Sequence, residues 1–357
     1  MQGLTRGDRL PDYQRPDAQG RSRMLHDLHA GLPVIVLASR DASADVFQTL
    51  LVEFANPDGY WSKFTRVAIV QGTQQQCAKL LPDSTDAVTL MVDDGAVLQH
   101  LIGAPSEMAA SVTAFALDGN LSVIERLELP PDGTPSELLN KLRAVYEMYA
   151  APAASVIRTQ APVLLIPRVF DRAFCDGLIA FFEETGGQPS GTARIEGDIA
   201  NWKPDPSVKI RRDVYLTEGV WLERVREMLI RRVLPEVQRC FNFQVTQHEV
   251  FKLIRYDDTG GYFRPHRDNE SRDTQHRRFA MTLNLNTGDY QGGELHFPEF
   301  GPQLYEAGRG DAAIFSCSLL HEAMPVVQGH RYALLGFFFG EAERMATMEY
   351  RGETQTR

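Results

Sequence analysis

Apolar residues along positions 1–150 alternate between two patterns. Pro33-Val34-Ile35-Val36-Leu37-Ala38 is a short continuous apolar run after Gly31, the mark of a strand buried on both faces. Residues 44–55 (ADVFQTLLVEFA) instead space their apolar side chains as a helix does. Phe64 to Val70 predicts a second strand, Gln74 to Leu81 a second helix, and Val88 to Val92 a third strand. The turn signal Asp93-Asp94-Gly95 follows, then Val97 to Ile102. Ser111 to Ala116 and Ser122 to Leu129 flank another turn, Asp118-Gly119-Asn120, as a hairpin. A helix from Ser136 to Tyr149, started by Pro135-Ser136, completes the set. Alternating βαβ units and a hairpin predict an α/β sandwich around a central sheet.

Residues 151–162 (APAASVIRTQAP) are rich in Ala and Pro and read as a linker. A second domain, 163–357, then begins with the strand Val163-Leu164-Leu165-Ile166-Pro167. Asp171 starts an amphipathic helix to about Glu184, closed by Gly186-Gly187. Residues 188–213 are rich in Gly, Pro and charge and are expected to form a long lid loop. Val220 to Val237 predicts one amphipathic helix. From Gln247 onward short strands are punctuated by Gly, Pro and Asp, which predicts a double-sheet jelly roll.

Composition narrows the function classes. At 357 residues two domains are expected, and 43% hydrophobic with 24% charged residues is ordinary for a globular protein. A net charge of −10 argues against a nucleic-acid partner, which would require clustered positive charge. The basic run Gln275-His276-Arg277-Arg278 reads as a solvated loop. Cys77, Cys175, Cys240 and Cys317 form no CxxC pair and no regular spacing, so neither a cysteine zinc site nor a disulfide framework is expected. The first residues hold no apolar core segment, and no apolar run of about 20 residues occurs anywhere. A cytoplasmic protein with no membrane partner is the expectation.

Three further segments of the first domain carry a resemblance. Gly7-Asp8-Arg9-Leu10-Pro11-Asp12, the turn Asp17-Ala18-Gln19-Gly20 and the core strand Pro33 to Leu37 resemble the peroxiredoxin branch of the thioredoxin fold. In that family the attacking cysteine opens the helix after the core strand. Here that stretch is Ser39-Arg40-Asp41-Ala42-Ser43-Ala44-Asp45, and it holds no cysteine. A thiol peroxidase needs a thiolate nucleophile. Cys77 lies in a later helix and is expected to be a core residue. The first domain is therefore expected to be redox-inactive, serving as a scaffold, a homodimer surface or a recognition module.

The chemistry lies in the second half. His266-Arg267-Asp268 places an imidazole and a carboxylate two residues apart, on one face of a strand. A Gly310-Asp311 turn then feeds an apolar strand that delivers His321. Two histidines and one carboxylate make a facial triad for ferrous iron, with three adjacent positions left open. Zinc fits less well, because structural zinc takes four protein ligands. Arg331, on a following strand, offers a guanidinium fork for the distal carboxylate of 2-oxoglutarate. Tyr256, on the strand before the His-x-Asp, offers a phenol to the same cosubstrate.

These residues, with Tyr262, Gly292-Gly293-Glu294-Leu295-x-Phe297-Pro298, Gly310-Asp311, Pro325-Val326 and Gly329-x-Arg331-Tyr332, resemble the prolyl 4-hydroxylase branch of the 2-oxoglutarate/Fe(II) oxygenases. The resemblance covers about residues 162–340. It implies a double-stranded β-helix, use of O2 and 2-oxoglutarate, release of succinate and CO2, and ascorbate as the reductant after uncoupled turnover. Collagen-type members carry lysine where Arg331 stands. Many relatives carry tyrosine where this chain has Asn284, which is expected to contact the cosubstrate with a shorter reach.

The expected substrate is a peptidyl, prolyl-like residue or an amino-acid-like small molecule. Tyr262, Asn269, Arg272 and Arg278 are its candidate contacts, and 269–279 is a second candidate lid. Two competing functions are a metal-holding sensor without turnover and a thiol peroxidase working through Cys77.

Overall fold

The computed structural model describes residues 3–29, 31–80, 87–104, 112–130, 132–149, 156–196 and 199–350, with side chains of 192–203 and 350 excepted. The chain divides into two compact units, 1–154 and 155–357.

In the first unit the strands Val34–Ser39, Thr65–Gln71 and Thr89–Asp93 run parallel, Val112–Leu117 pairs antiparallel with Val34–Ser39, and Val123–Leu129 pairs antiparallel with Val112–Leu117 to complete the sheet. Among the described residues the order is Thr89, Thr65, Val34, Val112, Val123, a thioredoxin-like arrangement with Val34–Ser39 at its centre. Alternation sends Ile35 and Leu37 to one face, against the helices Asp45–Ala55 and Pro135–Met148. Val34, Val36 and Ala38 face the helix Ala96–Ile102. The Asp93-Asp94-Gly95 signal caps that helix. Asp93 accepts hydrogen bonds from the backbone of Gly95, Val97 and Leu98 at 2.9, 3.2 and 3.0 Å. The last helix begins one residue earlier than expected, because Thr134 and Glu137 form a reciprocal capping box.

The second helix is shorter than expected, Gln74–Cys77, and residues 81–86 after it lie outside the described set. Cys77 is buried there, and burial pushes its thiol up, away from the thiolate a peroxidase needs.

The second unit is a jelly roll of two antiparallel sheets. The larger has the order Leu164–Ile166, Ala312–Ser316, Phe279–Asn284, Arg331–Phe339, Phe251–Tyr256, Arg212–Leu216, Gln188–Pro189. The smaller has the order Lys209–Ile210, Tyr262–His266, His321–Ala323, Leu295–His296, Leu304–Tyr305. One face of the larger sheet carries Phe251, Leu253, Met281, Leu283 and Leu334 and packs against helices Arg172–Thr185, Val220–Arg232 and Leu234–Phe241. Asp171 caps the first of these by accepting from Phe174, and Gly186 closes it in the left-handed conformation.

Four expectations need correction. Residues 188–213 are not one loop: they include the hairpin Thr192–Glu196/Ile199–Lys203 and strands of both sheets. The predicted helix Val220 to Val237 is two helices broken at Val233, where Pro235 removes a backbone donor. A helix at Glu341–Tyr350 was not anticipated. The end of the expected linker belongs to the second unit, since Ala161 is buried and its N–H donates to Tyr305. Among the described residues no helix is long and apolar enough to cross a membrane.

Candidate metal centre and cosubstrate cavity

Strand pairing brings the predicted triad together. Tyr262–His266 pairs antiparallel with His321–Ala323, and the register sets His266 directly opposite His321. A register shift between Phe263 and His266, beside Pro265, turns the chain so that Asp268 follows on the same side. The Asp268 N–H donates to the Cys317 carbonyl at 3.0 Å, which fixes it there. Asp268 Oδ1 lies 3.4 Å from His266 Nε2, and Oδ2 lies 3.4 Å from His321 Nε2. One donor atom from each residue falls within a 4.8 Å span.

Each imidazole is oriented by its other nitrogen. His266 Nδ1 donates to the Arg264 carbonyl at 2.8 Å and His321 Nδ1 to the Leu319 carbonyl at 3.0 Å. A carbonyl only accepts, so Nδ1 holds the proton and the Nε2 lone pair points inward, as a metal ligand requires. Phe263 stacks on His266 at 3.5 Å between ring centroids, and Phe315 meets His321 edge-on. Burial opposes charge on Asp268, but His321 and His266 outweigh it and hold the carboxyl down at about 2. Burial also lowers His321, favouring the neutral, ligating form. Two neutral imidazole nitrogens and one carboxylate oxygen therefore suit a ferrous ion.

A cavity of about 340 Å³ opens beside the triad. Its wall is the second face of the larger sheet, where Lys252, Ile254 and Tyr256 alternate with the core residues Phe251 and Leu253. Arg331 is buried in this wall, directly across from Tyr256 in register, with its guanidinium 5.6 Å above the Tyr256 ring. Arg331 Nη2 donates to Asn284 Oδ1 at 2.8 Å and Thr282 Oγ1 at 3.3 Å, while Nε has no partner among the described residues. An unpaired buried guanidinium nitrogen is costly, so the site suits an acidic group. Gly293 makes the space: its φ is +76°, and a Cβ there would sit 2.8 Å from Arg331 Cδ.

Residues 251–339 match the family model described as the 2OG-Fe(II) oxygenase superfamily. That match lies wholly within the second unit. No curated protein matches the chain. Among solved structures, the viral collagen prolyl hydroxylase of Paramecium bursaria Chlorella virus-1 in complex with 2OG is similar at 17% identity and a TM-score of 0.37, over 49% of this chain and 94% of that one. A prolyl hydroxylase of Trichoplax adhaerens, in complex with a hypoxia inducible factor oxygen degradation domain peptide fragment, is similar at 16% and 0.39, over 52% and 86%. A peroxidoxin of Mycobacterium tuberculosis is similar at 19% and 0.35, over 41% and 99%. At these scores no property is carried over from them.

Several residues expected at the oxygenase site stand elsewhere. Asn284 does not face the cavity: its Oδ1 holds Arg331 and its Nδ2 donates to the Ala307 carbonyl at 2.9 Å. It positions the guanidinium. Tyr262 points away from the cavity, its hydroxyl donating to the Pro206 carbonyl at 2.6 Å, and its neighbour Phe263 faces inward. Asn269 bonds Ser318 Oγ at 3.2 Å and does not line the cavity. Arg272 is exposed and also off the cavity wall. Arg278 is exposed and paired with Glu343 at 2.7 Å, whereas Arg277 reaches the cavity. Tyr256 does line the cavity, and its hydroxyl lies 3.5 Å from Arg211 Nη1.

Sequence reasoning missed the remaining cations. Arg211 is buried and forked onto Asp213 at 2.8 and 3.2 Å. Arg277 is forked onto Glu249 at 2.6 and 2.8 Å and donates to the Asp268 carbonyl at 3.1 Å. Lys209 and Lys252 complete the basic side. Burial pushes Lys209 down to about 7, helped by Arg211 and Lys252. Lys252 is lowered by burial and by Arg211.

Proposed function

We propose that His266, Asp268 and His321 hold ferrous iron, that Arg331 binds the distal carboxylate of 2-oxoglutarate, and that the protein is a hydroxylase of an amino-acid-like small molecule or a peptidyl, prolyl-like residue. One observation carries this reading: two inward Nε2 atoms and one carboxylate share a cavity with a buried guanidinium whose Nε lacks a partner. Iron bound there would supply the redox chemistry, in which O2 and 2-oxoglutarate give succinate, CO2 and one oxygen atom inserted into a substrate C–H bond.

The chain's own residues supply the rest. Arg264 and Leu319 carbonyls keep Nε2 of each histidine free of a proton. Thr282 and Asn284 aim Arg331, and Tyr256, across from Arg331 in register, would donate to the same carboxylate. Phe263, Phe315 and Leu335 exclude water around the reacting groups. Ascorbate fits this reading as the reductant that restores iron after uncoupled turnover.

Succinate release is the direct test. The chain with Fe(II), O2 and ascorbate is expected to convert 2-oxoglutarate to succinate, and a cell extract should yield a product heavier by one oxygen. No 2-oxoglutarate binding, or a product formed equally without it, contradicts the proposal.

A further inference from the structure

We propose that the substrate of this domain is an acid, whose anionic group sits between Lys209 and Lys252. The inference rests on the function proposed above and selects the acidic small molecule over the peptidyl residue.

The argument is one of charge. Arg211 is matched by Asp213, Arg277 by Glu249, and Arg267 by the exposed carboxylates Glu299 and Glu270. A ferrous ion, Asp268, the 2-oxoglutarate dianion and Arg331 together cancel. Lys209 and Lys252 remain. Neither has a carboxylate partner among the described residues; Lys209 Nζ lies 5.2 Å over the Phe263 ring and Lys252 Nζ 5.3 Å over the Tyr215 ring. Two half-buried ammonium groups lining one cavity, Lys209 from the smaller sheet and Lys252 from the larger, each repelled by Arg211, are unfavourable without an anion.

The anion is not the cosubstrate's own carboxylate. Lys252 pairs in register with Leu335 and Tyr256 with Arg331, four residues along the same strands. That separates the two anchors by about 13 Å. Lys209 pairs with Phe263, and its ammonium lies 5.2 Å over the Phe263 ring, which itself stacks on His266 at 3.5 Å. An acid held by the lysines would therefore extend its carbon skeleton toward the metal from a side that Arg331 does not serve.

The test uses the full chain with Mn(II) in place of iron and saturating 2-oxoglutarate, so that the Arg331 site is filled. Binding of phenylacetate, phenylacetamide and phenyl phosphate is titrated calorimetrically. At least one acid is expected to bind about tenfold or more tightly than the amide, with the two acids separating a carboxylate from a phosphate preference. Lys209→Met/Lys252→Met should erase that preference, and Lys209→Arg/Lys252→Arg should retain it. The Met variant should melt no lower than wild type, since it removes buried charge. Equal binding of acids and amide, or a preference that survives the Met substitutions, overturns the proposal. Titration of 2-oxoglutarate itself is the separate control: its failure strikes the function proposed above, whereas the acid–amide comparison strikes this inference alone.

Discussion

The strands Val34–Ser39 and Phe251–Tyr256 each lie inside a sheet, yet only one builds a site. Every residue of Val34–Ser39 is buried, with helices over both faces of the sheet. Phe251–Tyr256 buries Phe251 and Leu253 under helices but turns Lys252 and Tyr256 into a cavity. The smaller sheet covers that second face only partly, and the space between holds the chemistry. A strand apolar on both faces is a scaffold; a strand with one polar face inside a domain points at a ligand.

Substitutions test this contrast by degree. His321→Ala should abolish iron retention and lower succinate release by more than about a hundredfold, the upper range for losing a mere supporting contact. Iron content after desalting checks it. Arg331→Ala should weaken 2-oxoglutarate binding by about 2–5 kcal/mol, with Arg331→Lys intermediate because the fork is lost but the charge kept. Asn284→Ala should raise the KM for 2-oxoglutarate about 10- to 100-fold, the size expected of a residue that aims another. On the core face, Phe251→Ala should cost about 3–5 kcal/mol in urea unfolding and Leu37→Ala about 2–5 kcal/mol. Arg278→Ala should change activity little and stability by about 1 kcal/mol, because the arginine side of its pair with Glu343 is exposed.

The triad was legible because its spacing survives without knowledge of register: His266 and Asp268 are two apart, and His321 follows the apolar strand Ala312–Ser316, although it opens the next strand rather than ending that one. Arg331 was legible for the same reason. Arg278 was named and Arg277 was not, because the run 275–278 reads as a solvated loop, and only the fold shows that Arg277 turns inward to the cavity just before the strand Phe279–Asn284. Lys209 and Arg211 were hidden in a Gly- and Pro-rich stretch that resembles a loop, where Lys209 begins the short strand Lys209–Ile210 and Arg211 joins it to Arg212–Leu216. Lys252 had a signal that was passed over, one lysine set between the core residues Phe251 and Leu253 on the face it shares with Tyr256. Asn284 was placed on the right strand, but its two hydrogen bonds, which turn it from a ligand contact into a support for Arg331, depend on Ala307 far along the chain.

The central claim is that one ferrous ion meets His266, Asp268 and His321 within reach of a keto acid anchored by Arg331. Anaerobic titration of the Fe(II)-loaded chain with 2-oxoglutarate tests it most directly, read as the visible absorption that chelation of ferrous iron by a 2-oxo acid produces. A saturable band at one equivalent of iron per chain, absent in His321→Ala and shifted to higher 2-oxoglutarate in Arg331→Ala, is the predicted result. No band in the wild-type chain, or an identical band in His321→Ala, would contradict it.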